Sequence, residues 1–346
     1  MSIFLSNKAD FFGLDIGTTA ARLVQLNTGP SPKALIKYAY VPLEGNIAIS
    51  ESMTDIQKVA QSIDKLVKHA NVSTNNVAVG IPSSRVFTTV ADVDRLPANE
   101  LAKAITYQAD SLIPTPLSES KIDWILIGDS PSDKNKQEIL LSSVPNNFVE
   151  QRLDMLESIG LNVIAFEPDN LAMARALATP DTSGQLLLDV GRRSTDLVIV
   201  LNDIPHLTRS IPTGVEAVVR AASQNLSVDE KQAEQFVFKF GLSKDKLEGQ
   251  VFQAISSTVD LLQVEIEKSI KFFQTRYTGI KIDKIVVTGG ASVIPEFPLY
   301  IANKFSLNVE IGNAWQGTTY SKDRQNELLA ISNQFGVAVG LAERNE

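Results

Sequence analysis

Gly13-Leu14-Asp15-Ile16-Gly17-Thr18-Thr19 and Leu188-Asp189-Val190-Gly191-Arg192-Arg193-Ser194-Thr195-Asp196 carry the same message twice. In each, an apolar run ends in an aspartate, a glycine follows two residues later, and threonines lead into a second β-rich run. The glycine predicts a sharp turn with φ above zero, in which successive N–H groups point into one concavity able to hold phosphate oxygens. The aspartate beside it suits the water shell of Mg²⁺, an ion that dehydrates reluctantly and favours carboxylate with phosphate. Asp15 and Asp189 are therefore the expected metal-side carboxylates. Gly17, Thr18, Thr19, Gly191 and Thr195 are the expected phosphate-side groups, and two facing copies would grip one nucleotide. Turn-forming aspartates alone would not duplicate the pattern.

A third segment extends the set. Lys284-Ile285-Val286-Val287-Thr288 is a β-branched apolar run ending in Gly289-Gly290-Ala291-Ser292, after which Pro295 is expected to open a helix. Backbone without side chains at a strand end lets a flat ligand approach closely, and a helix N-terminus favours anions. Gly289 and Gly290 are accordingly expected at the nucleotide.

These residues resemble the actin-like ATPase superfamily, and within it the branch that serves type IV pilus assembly. Phe4-Leu5-Ser6 with Phe12–Gly17 carries the narrower resemblance. So do Tyr107-Gln108-Ala109-Asp110 running into Ile113-Pro114-Thr115-Pro116, and Ala165-Phe166-Glu167-Pro168 with Leu171-Ala172-Met173-Ala174-Arg175-Ala176. It spans about Phe4 to Leu341. The resemblance implies an α/β actin-like ATPase fold, two duplicated half-domains with an inserted α/β subdomain of the kind found in the division protein FtsA. The expected first domain is 1–81 with 162–183 and 322–346, and the inserted partner-binding subdomain is 82–161. The second domain is 184–212 with 279–321, and 213–278 is its helical subdomain.

The resemblance also implies ATP and Mg²⁺ as ligands. Glu167 matches the position of a water-activating glutamate; on its own chemistry it is equally a charge at a helix N-terminus. Glu234, in Ala233-Glu234 ahead of Gly241, matches a ribose-binding glutamate. Val237 stands where relatives carry an adenine-side lysine, so hydrolysis is expected to be slow at most. Arg192 and Arg193 replace the usual small residues; reaching the phosphates and meeting a partner are open to them, and they are expected rather to sit solvated at a hairpin tip.

The partner implied by the resemblance is the cytoplasmic N-terminus of a PilN-like inner-membrane protein, held between the first domain and the insertion. Other pilus assembly proteins and self-association follow from the same likeness, as does a cytoplasmic location at the inner-membrane face. A sugar kinase of the same superfamily, an FtsA-like division protein and the cytoplasmic region of a type II secretion component are the competing readings. The chain ends at Ala342-Glu343-Arg344-Asn345-Glu346 without the basic amphipathic helix expected of the division protein.

Composition narrows the classes further. At 346 residues the chain exceeds one ordinary core. Its 44% hydrophobic and 21% charged residues are those of a globular protein. No apolar run reaches the roughly 18 residues of a membrane span. A formal charge of −8 argues against nucleic acid, which demands a basic face. Without cysteine there is no disulfide or thiolate chemistry, and two isolated histidines, His69 and His206, supply neither a triad nor a histidine metal site. No Gly-Lys and no Gly-x-Gly occurs, which excludes the Walker and dinucleotide loops.

Helical spacing of Ile56, Val59, Ile63, Leu66 and Val67 predicts a helix over about 54–69. Ile255, Val259, Leu262, Ile266, Ile270 and Phe273 predict a long core-facing helix over about 248–277. A last helix is expected over about 323–341, with Leu328, Ile331, Phe335 and Ala338 inward.

Overall fold

The computed structural model describes residues 10–29, 31–180 and 183–345. Phe4-Leu5-Ser6 and Glu346, used above, lie outside the described residues. In chain order the first elements are strands β1 (Phe12–Ile16), β2 (Ala20–Leu26) and β3 (Lys33–Pro42), helix α1 (Met53–Ala70) and β4 (Asn76–Ile81). Next come β5 (Phe87–Asp94), α2 (Ala98–Leu112), β6 (Ser120–Asp129) and β7 (Lys136–Pro145), then α3 (Asn146–Glu157), β8 (Asn162–Pro168) and α4 (Asp169–Leu177). The next stretch is β9 (Gly184–Val190), β10 (Thr195–Leu201), β11 (Ile204–Ile211), α5 (Val215–Leu226), α6 (Glu230–Phe240) and α7 (Gln250–Arg276). The chain closes with β12 (Ile282–Thr288), α8 (Phe297–Phe305), β13 (Asn308–Ile311), β14 (Thr318–Thr319), α9 (Gln325–Ile331) and α10 (Gly336–Ala342).

Two compact units result: 1–82 with 148–176 and 313–346, and 83–147 with 177–312. In the first, the sheet order is β14-β3-β2-β1-β4-β8. Every residue of β1 is buried, because α10 packs on β1 from one side and the apolar face of α1 joins the core on the other. Close helix contact needs bare backbone: a Cβ on Gly340 would stand 1.8 Å from the Ala172 carbonyl oxygen. Ser52 caps α1 by accepting from the Asp55 N–H at 3.2 Å, and Asn71 ends it in the left-handed region.

The second unit repeats the same topology in its five-stranded sheet, β11-β10-β9-β12-β13. In both sheets an antiparallel three-strand meander is followed by two parallel strands on the side of its first member. The duplication read from two hairpins thus extends over five strands of each sheet, with β14 an addition at the edge of the first. Helix α7 buries Ile255, Val259, Leu262, Ile266 and Phe273 against this sheet, so its apolar stripe is core. The inserted strands form an antiparallel sheet, β5-β7-β6, covered by α2 through Ile105 and Ala109.

Three expectations about organisation change. The insertion shares a compact unit with the second half of the chain. Arg276 of α7 donates to Asp92 at 2.7 Å and to Glu138, and the Tyr277 hydroxyl donates to Glu138 at 2.9 Å. Helix α3, expected within the insertion, puts Met155 and Leu156 into the first unit's core. The last helix is two helices, α9 and α10, separated by a 3₁₀ turn over Ser332–Gln334 in which Ser332 and Asn333 are buried.

Candidate nucleotide site

Both Asp-x-Gly motifs are tight hairpins of one design. The Gly17 N–H donates to the Ala20 carbonyl at 3.1 Å, and the Gly191 N–H donates to the Ser194 carbonyl at 2.9 Å. Neither glycine has positive φ, contrary to expectation. A side chain would instead be crowded: a Cβ would lie 3.1 Å from the Ala20 oxygen in one turn and 3.2 Å from the Ser194 oxygen in the other, so each turn would have to give by a few tenths of an ångström.

In the first unit Asp15 is 6% exposed and faces Arg22 across the hairpin, accepting from it at 3.4 Å. Burial pushes the Asp15 carboxyl upward, against the pull of the Arg22 guanidinium. Thr18 is half-buried and Thr19 exposed, on the turn beside Gly17.

Glu167 follows a different course. Its buried carboxylate accepts from both terminal nitrogens of Arg175, one at 3.1 Å, and from Arg344 at 2.8 Å. Arg175 also donates to the Gly340 carbonyl at 2.6 Å, and Lys33 donates to the carbonyls of Glu343 and Arg344 at 3.0 and 2.7 Å. Burial raises the neighbouring Glu343 carboxyl to about 7, opposed by Arg175 and Lys33. This cluster ties β8 and α4 to the end of α10.

In the second unit four separated segments converge. The N–H groups of Val215 and Glu216, opening α5, donate to the carbonyls of Gly191 and Arg192 at 3.0 and 2.8 Å. Gly289 adopts φ 79°, and a Cβ on it would lie 2.1 Å from the Asp189 carboxylate. Gly290 differs: the nearest atom to a Cβ there is Val215 Cγ2 at 3.7 Å, an ordinary contact. Packing within the chain therefore explains the glycine at 289 and does not explain the one at 290. Helix α6 joins this end of the sheet through the Leu242 N–H, which donates to the Pro295 carbonyl at 3.0 Å. Pro295 does not open a helix; α8 begins at Phe297, with Pro298 in its first turn.

Arg192 is ion-paired with Glu234 at 2.6 Å, and Arg193 with Glu216 at 3.3 Å, so neither is simply solvated. Val237 is fully buried among core residues, which is why no long polar side chain reaches out from that position. Thr195 is fully buried and its hydroxyl donates to the Thr213 carbonyl at 2.7 Å. Its proton is thus committed here to the loop before α5.

Sequence reasoning assigned no role to Asp196. It sits opposite Asp189 on β10, its Oδ1 is buried without a hydrogen-bond partner, and burial raises its carboxyl to about 6, tempered by Ser210. Its place next to Thr195 in a β-branched run was the available signal. Among the described residues no group of three acidic or histidine side chains could enclose a metal. A magnesium ion at Asp15 or Asp189 would consequently take its remaining ligands from phosphate and water, as its chemistry prefers. The open backbone at Gly290 and the buried, unmatched Asp196 oxygen fit a site that accepts a nucleotide and a cation.

The duplicated sheets, each with an Asp-x-Gly hairpin at the same strand junction, define a protein of the actin-like ATPase fold. A family model for the type IV pilus assembly protein PilM matches residues 13–346, and the chain belongs to that family. The chain is similar to a solved PilM-PilN type IV pilus biogenesis complex, with 22% identity, 98% of this chain and 99% of that one covered, and a TM-score of 0.83. MreB 5 of Spiroplasma citri bound to AMPPNP shares the fold at a TM-score of 0.52 and 13% identity, over 96% of this chain and 95% of that one. The cell division protein FtsA of Bacillus subtilis is 20% identical over 355 residues, 89% of this chain and 80% of FtsA.

Proposed function

We propose that the protein is an ATP- and Mg²⁺-binding scaffold of type IV pilus assembly, working at the cytoplasmic face of the inner membrane. The observation that carries this reading is the convergence in the second unit of Asp189, the Gly191 hairpin, Glu234 and the Gly289-Gly290 turn, with a matching Asp15 hairpin in the first. In the second unit the backbone N–H groups of the Gly191 hairpin would hold phosphate, Asp189 the metal's water shell, and Glu234 the ribose; the Asp15 hairpin of the first unit offers phosphate and metal the same groups. The bound metal would supply charge neutralisation at the phosphates. Glu167, with both oxygens engaged by guanidinium groups, acts in this reading as a structural anchor, and turnover is slow.

No helix among the described residues is long and apolar enough to cross a membrane. Recruitment therefore falls to a partner, and the PilM-PilN complex among the similar structures supports a PilN-like inner-membrane protein in that role. Nucleotide occupancy could regulate this contact only through different affinities of the two states.

Thermal unfolding with Mg-ATP tests the nucleotide reading. At a hundredfold excess over Kd, binding adds about 2.7 kcal/mol to stability. The wild type should show that rise in Tm, and Asp15→Ala and Asp189→Ala should lose it. Equal shifts in all three proteins would reject the assignment. Titration with a PilN-like N-terminal peptide tests the partner reading separately.

A further inference from the structure

The sheet of the first unit has a long strand edge left open. Strand β3 pairs with β2 from Leu35 to Pro42, whereas β14 pairs on its other side only with Lys33 and Ala34. Among the described residues no further backbone hydrogen bond reaches residues 35–41. Their outer edge is therefore a row of unanswered N–H and C=O groups, about 23 Å long at seven residues of strand. Folded proteins blunt such an edge with charge, proline or a covering element. Here Lys37 is the only charged residue in the window, and Pro42 closes one end of it.

The window also has an apolar face. Strand alternation puts Ile36, Tyr38 and Tyr40 on one side. Tyr38 stands edge-on to Phe335 at 5.7 Å and tilted to Trp315 at 5.8 Å, and Tyr40 stands edge-on to Phe335 at 6.5 Å. These contacts hold the rings in place, yet Tyr40 is 57% exposed and Ile36 42%. On the other side Ala39 and Val41 pack against the core that α1 covers.

We propose that this edge pairs with the same edge of a second copy of the chain, antiparallel about a two-fold axis at Tyr38. The window sets the register. It is bounded at one end by β14 and at the other by Pro42, which has no N–H to give, and Tyr38 is its middle residue. Pairing centred there brings the β14 end of one copy to the Pro42 end of the other, so each of residues 35–41 finds an opposite number and neither end is overrun. Ile36 then faces the partner's Tyr40 at both ends of the row, a β-branched and aromatic combination that strands favour. Lys37 faces the partner's Ala39, whereas a register centred on Lys37 would set like charges directly opposite. Such an isologous contact closes as a dimer and does not propagate. Strand β3 lies toward the opposite end of the sheet from β8, beside which the insertion enters, and the inference rests on neither the nucleotide nor the PilN-like reading.

Sedimentation equilibrium of the full chain over a wide concentration series tests it. The contact is small beside the roughly 1,600 Å² of a standard interface, so the dimer is expected to dissociate readily on dilution. Its Kd should rise at least about 10-fold for Ile36→Glu and for Tyr40→Lys. Mixing the two variants should restore dimers, because the mixed pair keeps one Ile36–Tyr40 contact and sets a glutamate opposite a lysine at the other. Both positions are exposed, and Tm values matching wild type verify that the variants are folded. A wild type that stays monomeric throughout, dimers unchanged in both variants, or a mixture no more dimeric than its components would overturn the proposal. So would a monomeric wild type whose binding of a PilN-like peptide is lost in Ile36→Glu, since the edge would then belong to that partner.

Discussion

Arg192, from the second hairpin, and Glu234, from helix α6, meet at 2.6 Å with about a third of each side chain exposed. The pair links the hairpin proposed for phosphate to the glutamate proposed for ribose. A sugar hydroxyl accepted by Glu234 has to share or displace this guanidinium. An exposed pair of this kind contributes at most about 1 kcal/mol to stability. Arg192→Ala and Glu234→Ala are therefore expected to unfold within roughly that margin of wild type. Glu234→Ala should nevertheless weaken Mg-ATP binding at least about tenfold, equivalent to 1.4 kcal/mol. Isothermal titration that finds the two variants equal to wild type would remove Glu234 from the site.

Gly289 and Gly290 separate fold from function. Gly289→Ala combines φ 79° with a Cβ 2.1 Å from Asp189 and should cost about 1–3 kcal/mol in urea unfolding. Gly290→Ala meets nothing closer than 3.7 Å and should leave stability within about 0.5 kcal/mol, while reducing nucleotide affinity. A Gly290→Ala protein with unaltered affinity would show that no ligand approaches that backbone.

Asp196 makes a prediction about pH in the absence of nucleotide. Its carboxyl titrates near 6 in the native protein and near 3.9 when unfolded. Between these values the native state keeps a proton that the unfolded chain has lost, so stability falls as pH rises through the window. Below about pH 4 the effect is absent. Asp196→Asn should accordingly stabilise by about 2–3 kcal/mol at pH 8 and by nothing at pH 3.5. Glu343, raised to about 7, gives the wild type a further decline in the same direction. Urea midpoints measured across pH decide this; a constant difference between variant and wild type would contradict it.

Arg276 ties the inserted sheet to α7 through Asp92 and Glu138. Arg276→Ala leaves the Glu138 carboxylate buried beside Asp92 without its cation, a change that costs about 3 kcal/mol. Replacing Glu138 with Gln in the same chain should recover part of that loss. Hydrogen exchange of β5 and β7 would then rise in the single variant and fall back in the double.

The hairpins were legible because an apolar run, an aspartate and a glycine are all local signals with one backbone solution. The helices α1 and α7 were legible for the same reason, through spacing of three and four. What sequence could not supply were contacts between distant segments: Arg192 with Glu234, Thr195 with the Thr213 carbonyl, and Arg276 with Glu138. None of these leaves a periodic trace. The sign of φ at Gly17 and Gly191 was misread because a tight hairpin crowds a Cβ without entering the left-handed region. Glu167 was ambiguous in sequence, and its surroundings of Arg175 and Arg344 come from elements that meet only in three dimensions.

The insertion enters between β4 and β8, which are parallel neighbours in the first sheet. The corresponding strands of the second sheet, β12 and β13, are joined through the single helix α8. During synthesis the first sheet therefore waits for its β8 edge strand until the entire insertion has emerged, and closing so long a loop carries an entropic cost that slows pairing. A chain of this design exposes the open edge of β4 on the ribosome for far longer than that of its counterpart β12, whose partner β13 follows directly after α8, and that interval is where a chaperone would find it.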